Sequence, residues 1–120
     1  MITHHLRVHN RTRGTLLGDH IAVADGFWTR LRGLLGRDGL EEGEGLLIAP
    51  SRGVHMFGMR FPLDVLLLDR EQRVQAGFAG LAPGKATGMR KGVRYALELP
   101  SGTIAATGTH SGDTLEWETA

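Results

Sequence analysis

An aspartate inside an apolar run is the first residue of this chain equipped for chemistry. In GVHMFGMRFPLDVLLLD, residues 53–69, Asp64 is followed by Val65, Leu66, Leu67 and Leu68. Burying an unpaired carboxylate costs energy on the order of a small domain's whole stability, so something must meet it. Two chemical accounts are open. His55 would act as a general base oriented by Asp64, the core of a small hydrolase or lyase, if its imidazole lies within about 3 Å of its target proton or acts through one water. Alternatively Met59, Arg60 and Asp64 floor a ligand groove. A third account is structural: the carboxylate accepts main-chain N–H bonds at the start of a strand, just after Pro62. The third is favoured, because buried polar groups usually find backbone partners. Arg60 and Asp64 are four residues apart, about 13 Å in an extended strand, so only a turn or bulge over Gly58–Pro62 would let them touch.

A second constellation is basic. In GKATGMRKGVR, residues 84–94, Lys85, Arg90, Lys91 and Arg94 alternate with Gly84, Gly88 and Gly92. Glycine lets successive N–H groups form a concave anion-binding nest, so these four cations are the candidate rim of a site for a small anionic ligand or a protein segment. The competing account is a solvated basic turn. The stretch is not a Walker loop, because Ala86 follows Gly84-Lys85. Stacking aromatics are sparse here, with only Tyr95 and Phe78 nearby, which argues against nucleic acid.

Other motifs carry less. His55, Met56 and Met59 would suit a soft metal, but Met is the usual filler of irregular cores, and no spaced His or Glu ligand set supports zinc or a harder ion. No metal and no cofactor is expected. Gly43-Glu44-Gly45 precedes a strand where a dinucleotide fingerprint requires a helix. His110, Ser111 and Asp113 are too close in sequence to converge on one point, and a turn explains SGD better.

These residues have to be held by a framework of short strands. Leu6, Val8 and the alternating stretch Leu16–Val23 predict two strands around a turn at Thr12–Gly14. Asp25 as a cap, Phe27, Leu31, Leu34 and Leu35 at helical spacing, and Gly36 as a stop predict a helix over 26–35. Leu46–Ala49, Val54–Phe57, Leu63–Leu68, Val74–Leu81, Val93–Leu99 and Leu115–Glu118 read as strands, with DREQR at 69–73 as a hairpin tip. A short helix is expected near 102–108. In the central strand Leu63, Val65 and Leu67 take one face and Asp64, Leu66 and Leu68 the other, so both faces should be covered. The prediction is a mainly β (borderline α+β) domain, barrel-like or a strongly curved antiparallel sheet, with turns too frequent for parallel crossovers.

Composition bounds the rest. The 120 residues include eighteen glycines, about twice average usage, and no cysteine, which removes disulfides and thiolate chemistry. A chain of this length forms a single domain. Net charge is only +1 but is laid out in blocks: residues 70–94 carry six bases against Glu71, and residues 95–120 carry four acids and no Lys or Arg. Alternating blocks can pair within a fold, so charge alone names no partner. Without an apolar run of about 20 residues or a signal-like start, the expectation is a cytoplasmic protein with no membrane span.

Taken together, RGLLGR at 32–37, HMFGMRFPLDVLLLD at 55–69, LELPSG at 97–102 and Gly112-Asp113 resemble a widespread prokaryotic family, domain of unknown function 192. The resemblance runs from about His20 onward. It implies a compact, β-rich, barrel-like domain and no particular activity. The family commonly carries a bulky aromatic just before the Met of the central block, where this chain has Gly58; the resemblance implies that any cleft filled by that ring is wider here. The functional expectation is a non-enzymatic binding module, with the hydrolase or lyase using His55 and Asp64 as the alternative.

Overall fold

Each run of alternating apolar residues becomes a strand because its neighbours offer both a hydrogen-bonding ladder and an apolar layer. The computed structural model describes residues 5–24, 34 and 36–120. The elements are β1 (His5–Asn10), β2 (Thr15–Ala24), β3 (Glu44–Ile48), β4 (Leu63–Leu68), β5 (Val74–Leu81), β6 (Tyr95–Pro100), helix α1 (Thr103–Thr107) and β7 (Leu115–Thr119). They build one seven-stranded sheet in the order β5-β4-β6-β3-β2-β1-β7. The sheet is curled into a half-barrel. Its two edges meet at one end, where Val74 N–H donates to Asp113 O, Gly112 N–H donates to Val74 O, and Arg73 bridges Thr114. The mainly β, strongly curved architecture is the expected one, the 69–73 hairpin joins β4 to β5, and α1 falls inside the window foreseen for a short helix. The helix predicted over 26–35 lies outside the described residues.

One pairing departs from expectation. β2 and β3 run parallel, with Ile21 opposite Gly45 and Ala24 opposite Ile48. A parallel pair needs a connection of about a dozen residues or more, and the end of β2 at Ala24 and the start of β3 at Glu44 are far enough apart in sequence to supply it. Turn frequency elsewhere hid that one crossover.

The sheet separates two apolar layers. Leu66 and Leu68 of β4 join Leu97 and Leu99 of β6, Val8, Leu17, Ile21, Leu47, Val74 and Leu115 in one cluster. All seven strands contribute, including both edges, so this layer fills the inside of the curl. Leu63, Val65 and Leu67 face the other way, with Leu46, Ile48 and Ala96, under Met56, Leu34 and Val93 from the connections. Every residue of β4 is buried, as the two-faced pattern required. Each fully buried Leu or Val contributes roughly 1.5–3 kcal/mol relative to exposure.

Asp64 lies on the inner side, fully buried. Its Oδ1 accepts the Gly80 N–H at 2.8 Å, and its Oδ2 accepts the N–H groups of Ile104 at 2.8 Å and Gly102 at 3.2 Å. Each donor is free for a reason. The β4–β5 register slips between Leu63 and Val65, leaving Ala79 and Gly80 as a bulge with Gly80 at φ 60°. The first N–H groups of a helix have no intrahelical acceptor, and Gly102, which precedes α1, has no side chain to cap it. The carboxylate therefore caps a helix almost forty residues downstream and pins a bulge on the neighbouring strand. Asp64→Ala would orphan all three donors at about 1–3 kcal/mol for each left dry, so the urea midpoint should fall by the equivalent of at least about 3 kcal/mol. A smaller loss is expected for Asp64→Asn, which keeps one acceptor oxygen.

Candidate functional site

The central block does not form the strand predicted over Val54–Phe57. It is a loop laced to the basic segment: Thr87 N–H donates to Val54 O, Met56 N–H to Lys85 O, Gly84 N–H to Met56 O and Arg90 N–H to Arg52 O, with one isolated bridge between His55 and Ala86. Glycine and proline interrupt both partners, which limits the ladder to that bridge. The lacing is close enough that a Cβ on Gly53 would collide with the carbonyl of Gly88. Thr87 adds a side-chain bond, its Oγ1 accepting the Val54 N–H at 3.0 Å. Met56 anchors the loop by burying itself completely in the outer layer, and Met59 is half-buried against the same layer.

The proposed partners of Asp64 are elsewhere. His55 is exposed, stacked on Phe57 with ring centroids 5.0 Å apart, and its Nδ1 accepts the Phe57 N–H at 3.3 Å. Arg60 is exposed and pairs with Asp38 at 3.1 Å. Met56 and Met59 pack on the outer side of the sheet, whereas the Asp64 oxygens point into the curl and are taken by main chain. The structure thus brings Met59 to the outer layer and leaves Asp64 behind the sheet. His110, Ser111 and Asp113 form a turn, as expected: Asp113 Oδ2 accepts the His110 N–H and the Asn10 amide, and pairs with Arg13 at 3.0 Å. Those bonds, led by Arg13, hold the Asp113 carboxyl down at about 2.

The basic segment keeps its cations in solvent. Gly84, Gly88 and Gly92 all take positive φ, so the chain doubles back repeatedly, and Lys85, Arg90, Lys91 and Arg94 are all exposed. None of the four is in an ion pair among the described residues. Arg90 sits over the Phe78 ring, 5.2 Å from its centroid. A cleft of about 410 Å³ is lined by Arg70, Gly92, Val93, Arg94 and Tyr95. Its walls are fixed: Arg94 N–H donates to Leu68 O, Ser51 N–H donates to Arg94 O, and the Tyr95 ring meets Trp117 edge-on at 5.0 Å. Arg70 comes from the β4–β5 hairpin, whose Asp69 carboxylate is occupied by the N–H groups of Glu71 and Arg73 and by Gln75. Both guanidinium groups of the cleft are without a carboxylate partner among the described residues.

Among the described residues, one buried acid lies on the outer side of the sheet. Glu98 lies in the middle of β6, flanked by Leu46 on β3 and Val65 on β4, and only 7% of it is exposed. Alternation turns it away from Leu97 and Leu99 and toward the side of Ala96. Removal from water, with no ion-pair partner among the described residues, pushes its carboxyl up to about 7.

Residues 8–117 match the family described as Uncharacterized ACR, COG1430, or DUF192. This chain belongs to the DUF192 family. It is 29% identical over 114 residues to a UPF0127 protein of Thermococcus sibiricus, covering 91% of this chain and 73% of that one. A UPF0127 protein of Thermococcus gammatolerans is 28% identical over 114 residues with the same coverage. The crystal structure of a protein of unknown function from Novosphingobium aromaticivorans superposes with a TM-score of 0.80 at 24% identity, covering 93% of this chain and 83% of that one. That structural likeness shows a shared fold and carries no activity.

Arg70, Tyr95 and Glu98 did not stand out from the sequence of this DUF192 chain as site residues. Arg70 belongs to a hairpin tip, and nothing local brings it to Arg94. Glu98 did leave a signal, an acid inside the apolar run YALELP, the same signal that marked Asp64. Its titration has a measurable sign. The folded-state value of about 7 lies above the ordinary 4.5, so the native state holds the extra proton, and stability should fall as pH rises from 4.5 to 7 and then level off. The loss should approach roughly 3 kcal/mol. It should be absent in Glu98→Gln, read as the difference between the two urea midpoints across that pH range.

Proposed function

We propose that this DUF192 protein is a non-enzymatic binding module that takes a small anionic ligand on its basic, glycine-rich face. The observation that carries the reading is the fixed cleft between the β4–β5 hairpin and the 92–95 segment, where Arg70 and Arg94 face solvent without an ion-pair partner among the described residues. Paired guanidinium groups present planar forks suited to phosphate or carboxylate oxygens. Lys85, Arg90 and Lys91, exposed on the laced loops, add to the positive field that would draw an anion in, an effect screened by salt over about 8–10 Å. Exposed Phe57 and Met89, at 62% and 71%, give that surface apolar contacts for the remainder of a ligand or for an acidic protein segment. His55 and Asp64 do not form an acid–base pair, so a hydrolase or lyase reading has no comparable support.

Inorganic pyrophosphate is a suitable probe. Calorimetric titration at low ionic strength should show saturable binding to the natural protein, weakened about tenfold or more by Arg70→Ala or Arg94→Ala, since a charge-assisted bond is worth about 1.5–3 kcal/mol. Binding that is absent, or unchanged in the double variant, would remove the proposal.

A further inference from the structure

Three large apolar side chains are exposed among the described residues. Two of them, Phe57 at 62% and Met89 at 71%, stand on the same pair of laced loops, and the third, Leu16, is on β2. Single exposed apolar side chains carry no message by themselves; these two share a fixed scaffold. The lacing gives the loop pair two sides. Met56 and Thr87 turn inward and are buried, whereas His55, Phe57, Ala86 and Gly88 are exposed. Phe57 is exposed yet held, since its ring stacks on His55 and its N–H donates to His55 Nδ1. Met89 follows Gly88, where a φ of 77° reverses the chain. The surface at these turns is open: a Cβ on Gly84, Gly88 or Gly92 would meet nothing within 4 Å.

The charge on the two segments is of one sign. Residues 52–62 and 82–94 contain six Lys and Arg and not one Asp or Glu. Arg60 is paired with Asp38, and Arg90 rests over Phe78. Arg52, Lys85 and Lys91 are exposed and in no ion pair among the described residues. Apolar tips flanked by free cations complement a surface that is anionic outside and hydrocarbon just beneath. A bilayer with acidic headgroups is such a surface. A peptide fits less well, because it binds by extending a free strand edge or by filling a groove. Here the main-chain groups that the loops turn to each other, from Arg52, Val54 and Met56 to Lys85, Thr87 and Arg90, are already bonded across the pair. Contact through loop tips lies on a membrane without crossing it, and no helix of the described residues is long and apolar enough to cross.

We propose that the loops over 53–59 and 84–91 form a docking surface for an anionic lipid bilayer, in which Phe57 and Met89 enter the interface and Arg52, Lys85 and Lys91 meet headgroup phosphates. This surface shares no side chain with the cleft at Arg70 and Arg94 and does not depend on a ligand there.

Vesicles of equal parts phosphatidylglycerol and phosphatidylcholine are the probe. Co-sedimentation at low ionic strength should show saturable binding, at least tenfold weaker on phosphatidylcholine alone. Each cation at such a surface is worth roughly fivefold, so the double variant Lys85→Gln, Lys91→Gln should bind at least tenfold more weakly, and so should Phe57→Ser, Met89→Ser. Leu16→Ser and Arg7→Gln, at exposed positions on β2 and β1, should change binding less than twofold. Equal binding to both vesicle types, equal losses in the loop and control variants, or displacement by glycerol phosphate at matched ionic strength would overturn the assignment. Saturable binding of oligoglutamate with none to vesicles would replace the bilayer by an acidic protein segment. Vesicle binding that is absent while pyrophosphate still binds would remove this surface and leave the cleft standing. Independently of any variant, a nitroxide-labelled lipid in anionic bicelles should broaden the amide signals of 53–59 and 84–91 first. Broadening centred on α1 or β7 would also overturn the assignment.

Discussion

Three main-chain N–H groups converge on one carboxylate, and the curl of the sheet depends on it. Asp64 ties the bulge at Gly80, the turn at Gly102 and the first turn of the helix after β6 to a single point on β4. Without an anion there, three donors would be buried with no acceptor, which is costlier than the bonds are individually valuable. β4 and β6 are adjacent in the sheet while β5 is the far edge. The carboxylate thus sets how the hairpin edge and the helix close over the inner layer.

The same sequence signal, an acid in an apolar run, has opposite outcomes at Asp64 and Glu98. Asp64 lies near the start of its strand, opposite a bulge and beside a helix end, where main-chain donors are released. Glu98 lies mid-strand between two paired neighbours, where the ladders on both sides use the main-chain donors. Sequence periodicity can identify an acid that must be satisfied, and it places β4 and β5 at their observed limits. It does not reveal which backbone groups the tertiary structure frees. The strand predicted at Val54–Phe57 failed for a related reason: its apolar residues anchor a loop through Met56, and anchoring leaves the same composition as pairing.

The basic segment was legible as chemistry but not as geometry. Its alternation of glycine with Lys and Arg correctly announced positive φ and exposed cations. The contribution of Arg70 depends on Arg94 N–H bonding the last residue of β4, a contact between segments more than twenty residues apart. Likewise the parallel β2–β3 pair depends on where the chain returns after residue 43. Both are long-range facts that local patterning does not encode.

The half-closed sheet leaves one further mark. Edge strands β5 and β7 touch only where β5 begins and β7 is entered, so most of β5, from Gln75 to Leu81, has no strand on its outer side among the described residues. A long, flat edge of that kind would recruit a strand from another molecule and seed aggregation. Here it is neither flat nor regular: the register slips at two points and glycines stand at 77 and 80. The bulge that supplies Asp64 with a donor therefore also blunts the edge against intermolecular β-pairing, so a protected edge and internal cohesion come from the same kink.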